Sequence, residues 1–201
     1  MISTPGVFQV REVPVPQRVV PHPSRAIHSV TYIQNMALQG EYYKMREEFK
    51  KTKKNTNETL LFHGTAVSNI EGIINNGFNL ESVPQQRTTD NQWRKKGSVF
   101  GRGIYLTTLP GMALMYGNGL LLCKVLLGNS ETFVPTGHGE VPQLAAESDS
   151  RLVTSRQGDQ ILQVVRNPAQ VCSYVLAFKC LSVFPIYKKV TFEVICNLPH
   201  P

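Results

Sequence analysis

Cysteine is scarce in this chain, and its spacing already excludes one kind of site. Cys123, Cys172, Cys180 and Cys196 are the whole complement, none in CxxC spacing and each inside an apolar run. They read as buried free thiols of an intracellular protein, so no metal centre is expected. Charge is thin as well, at 17% against 41% hydrophobic residues, which describes a globular chain and excludes a disordered one. No uninterrupted apolar run approaches the length that crosses a bilayer, so no membrane partner is expected. Met1 to Val10 lacks a basic stretch followed by an apolar one, and no signal peptide is read there. The expected compartment is the cytoplasm or the nucleus. No G-x-G-x-x-G follows a strand and no Walker lysine occurs, which leaves neither a Rossmann nor a P-loop site.

What the chain does have is length, basicity and apolar strands that end on glycine. Its 201 residues suffice for one domain with a sizeable core. A formal charge of +7 and a pI near 9.3 point to an anionic partner. Lys44, Arg46, Lys50, Lys51, Lys53 and Lys54 outweigh Glu47 and Glu48, and Arg94-Lys95-Lys96 forms a second cluster. Such patches attract a dinucleotide, nucleic acid or an acidic protein, although a solvated helix face gives the same pattern.

Pro5, Pro14, Pro16, Pro21 and Pro23 forbid a helix near the start and favour an extended tail or an edge strand. Residues 1–28 are therefore read as a proline-rich extended segment, ahead of a domain over 29–201. A strand from Val30 leads into a charged helix with Met36, Tyr43, Met45 and Phe49 at its apolar positions. Glu58 to His63 is the next strand, followed by a helix from Ser68 to Asn75 that Asn76-Gly77 stops. Phe78 to Lys96 reads as a long polar loop. Gly103 to Thr107 is a strand, Pro110 to Tyr116 a helical turn, and Leu120 to Leu127 a strand buried on both faces. Thr136 to Asp159 reads as a second irregular region. Strands over Gln160 to Val165, Tyr174 to Cys180 and Lys188 to Cys196 close the chain. The sum is a mainly antiparallel α+β domain with small helices and two long loops.

Two stretches organise the rest: Leu60-Leu61-Phe62-His63-Gly64-Thr65 and Phe100-Gly101-Arg102-Gly103-Ile104-Tyr105. Each is an apolar strand joined to glycine, whose missing Cβ lets a backbone approach a ligand closely. Tyr105 and Tyr116 both lie near glycine, and two aromatic faces can sandwich a flat heterocycle. A cationic ring gains on the order of 1 kcal/mol more. Gly64 can bond a carboxamide through its backbone, while His63 and Thr65 can reach a ribose hydroxyl or a phosphate. A dinucleotide with a pyridinium amide fits these groups better than a purine nucleotide does. Taken singly, His63 reads as a structural histidine and either tyrosine as a core aromatic.

Over roughly Val30 to Cys196 the chain resembles the catalytic domain of the poly(ADP-ribose) polymerase family, the diphtheria-toxin-like ADP-ribosyltransferases. The resemblance rests on Ile33-Gln34-Asn35 before a basic helix, Leu61 to Thr65, Gly77-Phe78, and Phe100 to Tyr105. Tyr116, Ser148-Asp149-Ser150 and Ala169-Gln170-Val171 follow in order. It implies the ADP-ribosyltransferase fold, a mainly antiparallel split sheet, with NAD as co-substrate. It also implies that His63 contacts a ribose hydroxyl of NAD and that Gly64 holds the nicotinamide carboxamide. Tyr116 would stack on the nicotinamide, with Tyr105 as the opposite wall. The loop after Phe78 would cover the donor site, and Asn79 would approach the adenosine or phosphates. Residues 1–28 are too few and too proline-rich for the family's regulatory helical domain.

Two departures bear on the reaction that the resemblance implies. Polymerising members carry a glutamate eight residues before the glutamine of Ala-Gln-Val, and here that position is Leu162. The implied triad His63, Tyr105, Leu162 is that of members transferring a single ADP-ribose. A carboxylate would steady the positive charge on the sugar and polarise an attacking ribose hydroxyl, and leucine does neither. Ala113 stands where many members have a serine bonding the carboxamide, and losing that bond costs about 1 kcal/mol of NAD binding. Because side chains alternate along a strand, Gln160 is expected to share a face with Leu162, with Gln163 and Asp159 nearby. The expected function is single ADP-ribose transfer from NAD to an acceptor. That acceptor is a protein offering a carboxylate or other nucleophile, or a nucleic acid reached through the basic clusters. The competing reading is a silent module of the same fold that binds NAD or ADP-ribose without turnover.

Overall fold

The computed structural model describes residues 9–13, 30–80, 85–87, 93–95, 99–135 and 143–179. The strand expected from Lys188 to Cys196, as well as Cys180 and Cys196, lies outside these residues. In chain order the elements are β1 (Gln9–Val13), β2 (Val30–Gln34), α1 (Met36–Lys51), β3 (Glu58–Thr65) and α2 (Val67–Asn76). A short ribbon follows, β4 (Gln85–Arg87) with β5 (Trp93–Lys95). Then come β6 (Ile104–Leu106), α3 (Pro110–Ala113), a 3-10 turn at Leu114–Tyr116, β7 (Gly119–Leu126) and β8 (Ser130–Phe133). The last elements are β9 (Ser150–Thr154), β10 (Gln160–Val165), a second 3-10 turn at Pro168–Gln170, and β11 (Val171–Lys179).

The strands form two main sheets, β1-β2-β11-β7-β3 and β6-β10-β9-β8. All pairings are antiparallel except β8 with β9. The sheets are joined where Phe62 of β3 bridges Thr107, each N–H donating to the other's carbonyl at 2.8 and 3.0 Å. This is the mixed, mainly antiparallel split sheet that the sequence implied.

β7 is almost wholly apolar because it lies between β11 and β3 and is covered on both faces. Leu121, Cys123 and Val125 pack with Ile70 of α2 in one cluster. Leu126 packs with Tyr42 and Phe49 of α1 in another. Fully burying each such leucine or valine stabilises the fold by about 1.5–3 kcal/mol. Tyr42, not the expected Tyr43, joins Met45 and Phe49 at helical spacing, so α1 turns that stripe inward and leaves Met36 and Tyr43 exposed.

Asn35 links the two larger helices. Its side-chain oxygen caps α1 by accepting from the N–H groups of Ala37 and Leu38 at 3.1 and 3.2 Å. Its amide nitrogen donates to the carbonyls of Ile74 and Asn75 at the end of α2, at 2.9 and 3.1 Å. One side chain thus satisfies the orphan donors of one helix and the orphan acceptors of the other.

Two expectations need correction. The polar segment after Phe78 is not all loop, because it holds the β4–β5 ribbon. The second irregular region contains β9, a central strand of the four-stranded sheet. β9 reads as a loop in sequence because its buried positions include Ser150 and Arg151. Those residues are satisfied by partners distant in the chain. Among the described residues, no helix is long and apolar enough to cross a membrane.

Candidate functional site

The two organising stretches meet beside the bridge between the sheets. His63 Nδ1 lies 3.0 Å from the carbonyl oxygen of Tyr105. A carbonyl only accepts, so Nδ1 carries the proton and Nε2 keeps a lone pair. The imidazole meets the Phe78 ring edge-on at 4.8 Å. Burial lowers the pKa of His63 from the usual 6.5, against the opposing pull of the Tyr105 carbonyl, and the ring is held neutral.

Gly64 needs its bare Cα for a reason internal to the protein. A Cβ there would stand 1.7 Å from the carbonyl oxygen of Ala113, so any larger residue would lift α3 off β3. Pro110 opens α3, where a missing N–H costs nothing. Ala113 itself is buried. Phe62 spends its N–H and C=O on the bridge to Thr107. Gly64, two residues on, turns its own pair to the same side. Among the described residues no backbone bond engages that pair there, which leaves a donor and an acceptor of the kind that matches a carboxamide.

Tyr105 is anchored by its hydroxyl, which donates to the Gly101 carbonyl at 2.7 Å and accepts from the Phe100 N–H at 2.9 Å. Its ring packs on the apolar cluster of Val153, Leu162 and Val164. Burial raises its pKa, with a smaller push from Tyr116 nearby, and it stays a neutral phenol. Tyr116, on the 3-10 turn, is 54% exposed and presents an uncovered ring. Leu162 is 5% exposed and belongs to the same cluster that supports Tyr105.

Other expected site residues lie elsewhere or are otherwise engaged. Thr65 is buried, and its hydroxyl accepts from Asn69 Nδ2 at 3.1 Å. Asn79 is exposed just past Phe78. The register of β10 slips between Gln160 and Leu162, so the alternation that would put both on one face is broken. Gln163 is buried and donates to the hydroxyls of Ser130 and Ser150 at 3.0 and 2.9 Å. Asp159 lies in an exposed turn with Ser155. The first basic cluster is largely answered within the chain: on α1, Lys44 pairs with Glu41, Arg46 with Glu58 and Lys50 with Glu47, and just past it Lys54 pairs with Asp149. That pattern is a solvated helix face, and it lends no support to a nucleic-acid surface. The side chains of Arg94, Lys95 and Lys96 lie outside the described residues.

One neighbour of Tyr105 was not singled out by the sequence. Arg151, almost wholly buried, reaches the carbonyl of Phe100 with Nη1 at 3.0 Å and pairs with Glu131. Its sequence setting, Ser-Arg-Leu-Val-Thr, carries no periodic signal that would separate it from a surface arginine.

Residues 16–161 match the family model of the poly(ADP-ribose) polymerase catalytic domain. The match covers His63, Tyr105 and Tyr116 and stops one residue short of Leu162. Among curated proteins, poly [ADP-ribose] polymerase 2 of Zea mays is 31% identical over 91 residues, or 41% of this chain and 13% of the maize protein. The matched stretch thus spans about an eighth of that relative's length.

Proposed function

Because the chain belongs to the poly(ADP-ribose) polymerase catalytic-domain family, whose enzymes use NAD, we propose that it transfers a single ADP-ribose unit to an acceptor and releases nicotinamide. The residues present fit that substrate. Gly64 offers its open N–H and C=O to the carboxamide, and Tyr116 offers a ring to stack on the nicotinamide. His63, with Nδ1–H held by Tyr105, keeps Nε2 as an acceptor for a ribose hydroxyl. Tyr105 walls the slot from the side of β6. Thr65 serves by pinning Asn69 and the start of α2 behind Gly64 rather than by reaching the sugar. Asn79, exposed after Phe78, is the residue we assign to the adenosine end. NAD supplies the ADP-ribosyl group, and positive charge develops on the sugar as nicotinamide leaves.

The observation that carries the single-transfer reading is Leu162. Its position is fixed by the count from Gln170, which itself closes a capping box with Asn167 and donates to the Leu126 carbonyl at 2.8 Å. At Leu162 the site has an apolar, buried side chain and no carboxylate to polarise an incoming ribose hydroxyl. The acceptor must therefore bring its own nucleophile, such as a protein carboxylate. A cytoplasmic or nuclear setting goes with this reading; burial pushes the thiols of Cys123 and Cys172 up to about 12 and about 11, which leaves them unreactive.

Incubation with labelled NAD tests the proposal. One discrete addition to the chain or a partner supports it, a ladder of additions overturns the role of Leu162, and loss of label in His63→Ala and Tyr116→Ala supports the site. Ala113 favours a second reading, a module that binds NAD without turning it over. Measurable binding with no label would establish that instead.

A further inference from the structure

Arg151 is the largest of the fully buried side chains among the described residues, and it belongs to no part of the slot. A buried guanidinium is costly unless every donor is matched, and an apolar residue of similar size would pack there more cheaply. Here the match reaches the slot in three steps. Glu131 of β8, Arg151 of β9, Val164 of β10 and Tyr105 of β6 are successive cross-strand partners in one row. Nε and Nη2 of Arg151 take the Glu131 carboxylate. Nη1 takes the Phe100 carbonyl, and the guanidinium lies over the Phe133 ring at 5.2 Å. Phe100 is then held from both ends, because its N–H donates to the Tyr105 hydroxyl. The next residue, Gly101, accepts from that hydroxyl in a left-handed conformation, φ 101°. A side chain on Gly101 would be strained by that φ, and its Cβ would touch Nη1 at 3.4 Å.

We propose that Arg151 is a positioning residue, which through the Phe100–Gly101 turn fixes the Tyr105 ring as a wall of the nicotinamide slot. The proposal rests on the reading of that slot as an NAD site. The role demands the planar fork of arginine. A lysine would keep the charge beside Glu131 and would give up the simultaneous bond to Phe100.

The test uses the full chain with 3-fluorotyrosine at position 105, read by fluorine NMR, alongside NAD turnover. Arg151→Lys is expected to shift or broaden the fluorine signal and to lower kcat/KM by roughly 10- to 100-fold, as a displaced wall would. Gln163→Met, which weakens the same sheet from its other face, is expected to lower the melting temperature and leave the signal in place. A folded Arg151→Lys with an unchanged signal overturns the proposal. If Arg151→Lys does not fold, the double variant Arg151→Met with Glu131→Gln, which leaves no unpaired charge, decides on the same readout. Should the unsubstituted chain bind no NAD by calorimetry, the reading of the slot falls, and the signal still reports whether Arg151 fixes Tyr105.

Discussion

His63 and Ala113 set the terms of donor binding at the level of single residues. Desolvation places the pKa of His63 below 6.5, so the neutral form that accepts a hydroxyl proton persists to lower pH than an ordinary imidazole allows. Labelling should hold steady through neutrality and fail with a midpoint under pH 6.5, and a midpoint above it would contradict the assignment. The same depression makes the unfolded chain bind the extra proton first. The stability His63 contributes is complete above 6.5 and drains away as pH falls below it. Ala113, buried against Gly64, lacks a hydroxyl toward the slot. Ala113→Ser should tighten NAD by about fivefold, the equivalent of about 1 kcal/mol, in a calorimetric titration. Weaker or unchanged binding would show that the carboxamide sits elsewhere.

At the scale of elements, the joint between α1 and α2 is the most exposed to single changes. Asn35→Ala removes a cap and two bonds to α2, and should cost about 1–2 kcal/mol in denaturant unfolding. Asn35→Asp keeps the cap yet sets a carboxylate against the carbonyls of Ile74 and Asn75. It should recover little of that loss, and full recovery would mean that the bonds to α2 contribute nothing. On β10, Leu162→Glu places a carboxylate among Val153, Val164 and Phe133. It should lower the melting temperature without giving long polymers, and long polymers would refute the packing account. Legibility tracked the same physics. β7 could be read because both of its faces are apolar, and α2 because Gly77 closes it, whereas β3 runs on through Gly64 to Thr65 instead of ending at His63. β9 could not, since Ser150 and Arg151 owe their burial to Gln163 and Glu131, which only the fold brings close. The slip in β10 was equally hidden, because nothing in Gln160-Ile161-Leu162 marks an extra residue. Of the site, His63, Gly64 and Tyr105 could be placed together from sequence, whereas the commitment of Thr65 to Asn69 needed the coordinates.

For the whole molecule, acid is the informative stress. Burial pushes the Glu131 carboxyl up, but the Ala145 N–H and the Arg151 guanidinium together bring it below the usual 4.5. Its stabilising share is therefore intact above 4.5 and lost as pH falls through the lower folded value. The chain carries +7 already at neutrality, so each protonated carboxylate adds to self-repulsion. Melting temperature should drop steeply below pH 4.5, and Glu131→Gln should flatten that drop while lowering the plateau above it. The two sheets are stitched to each other at Phe62 and Thr107, and Ile104, Leu106 and Val165 of the smaller sheet pack in one cluster with Leu61, Leu121 and Cys123 of the larger. A ligand held against Gly64 of β3 and Tyr105 of β6 would lean on both sheets at once. Because that cluster is shared, the two sheets should melt in one calorimetric step with or without such a ligand, which only raises the temperature at which they do.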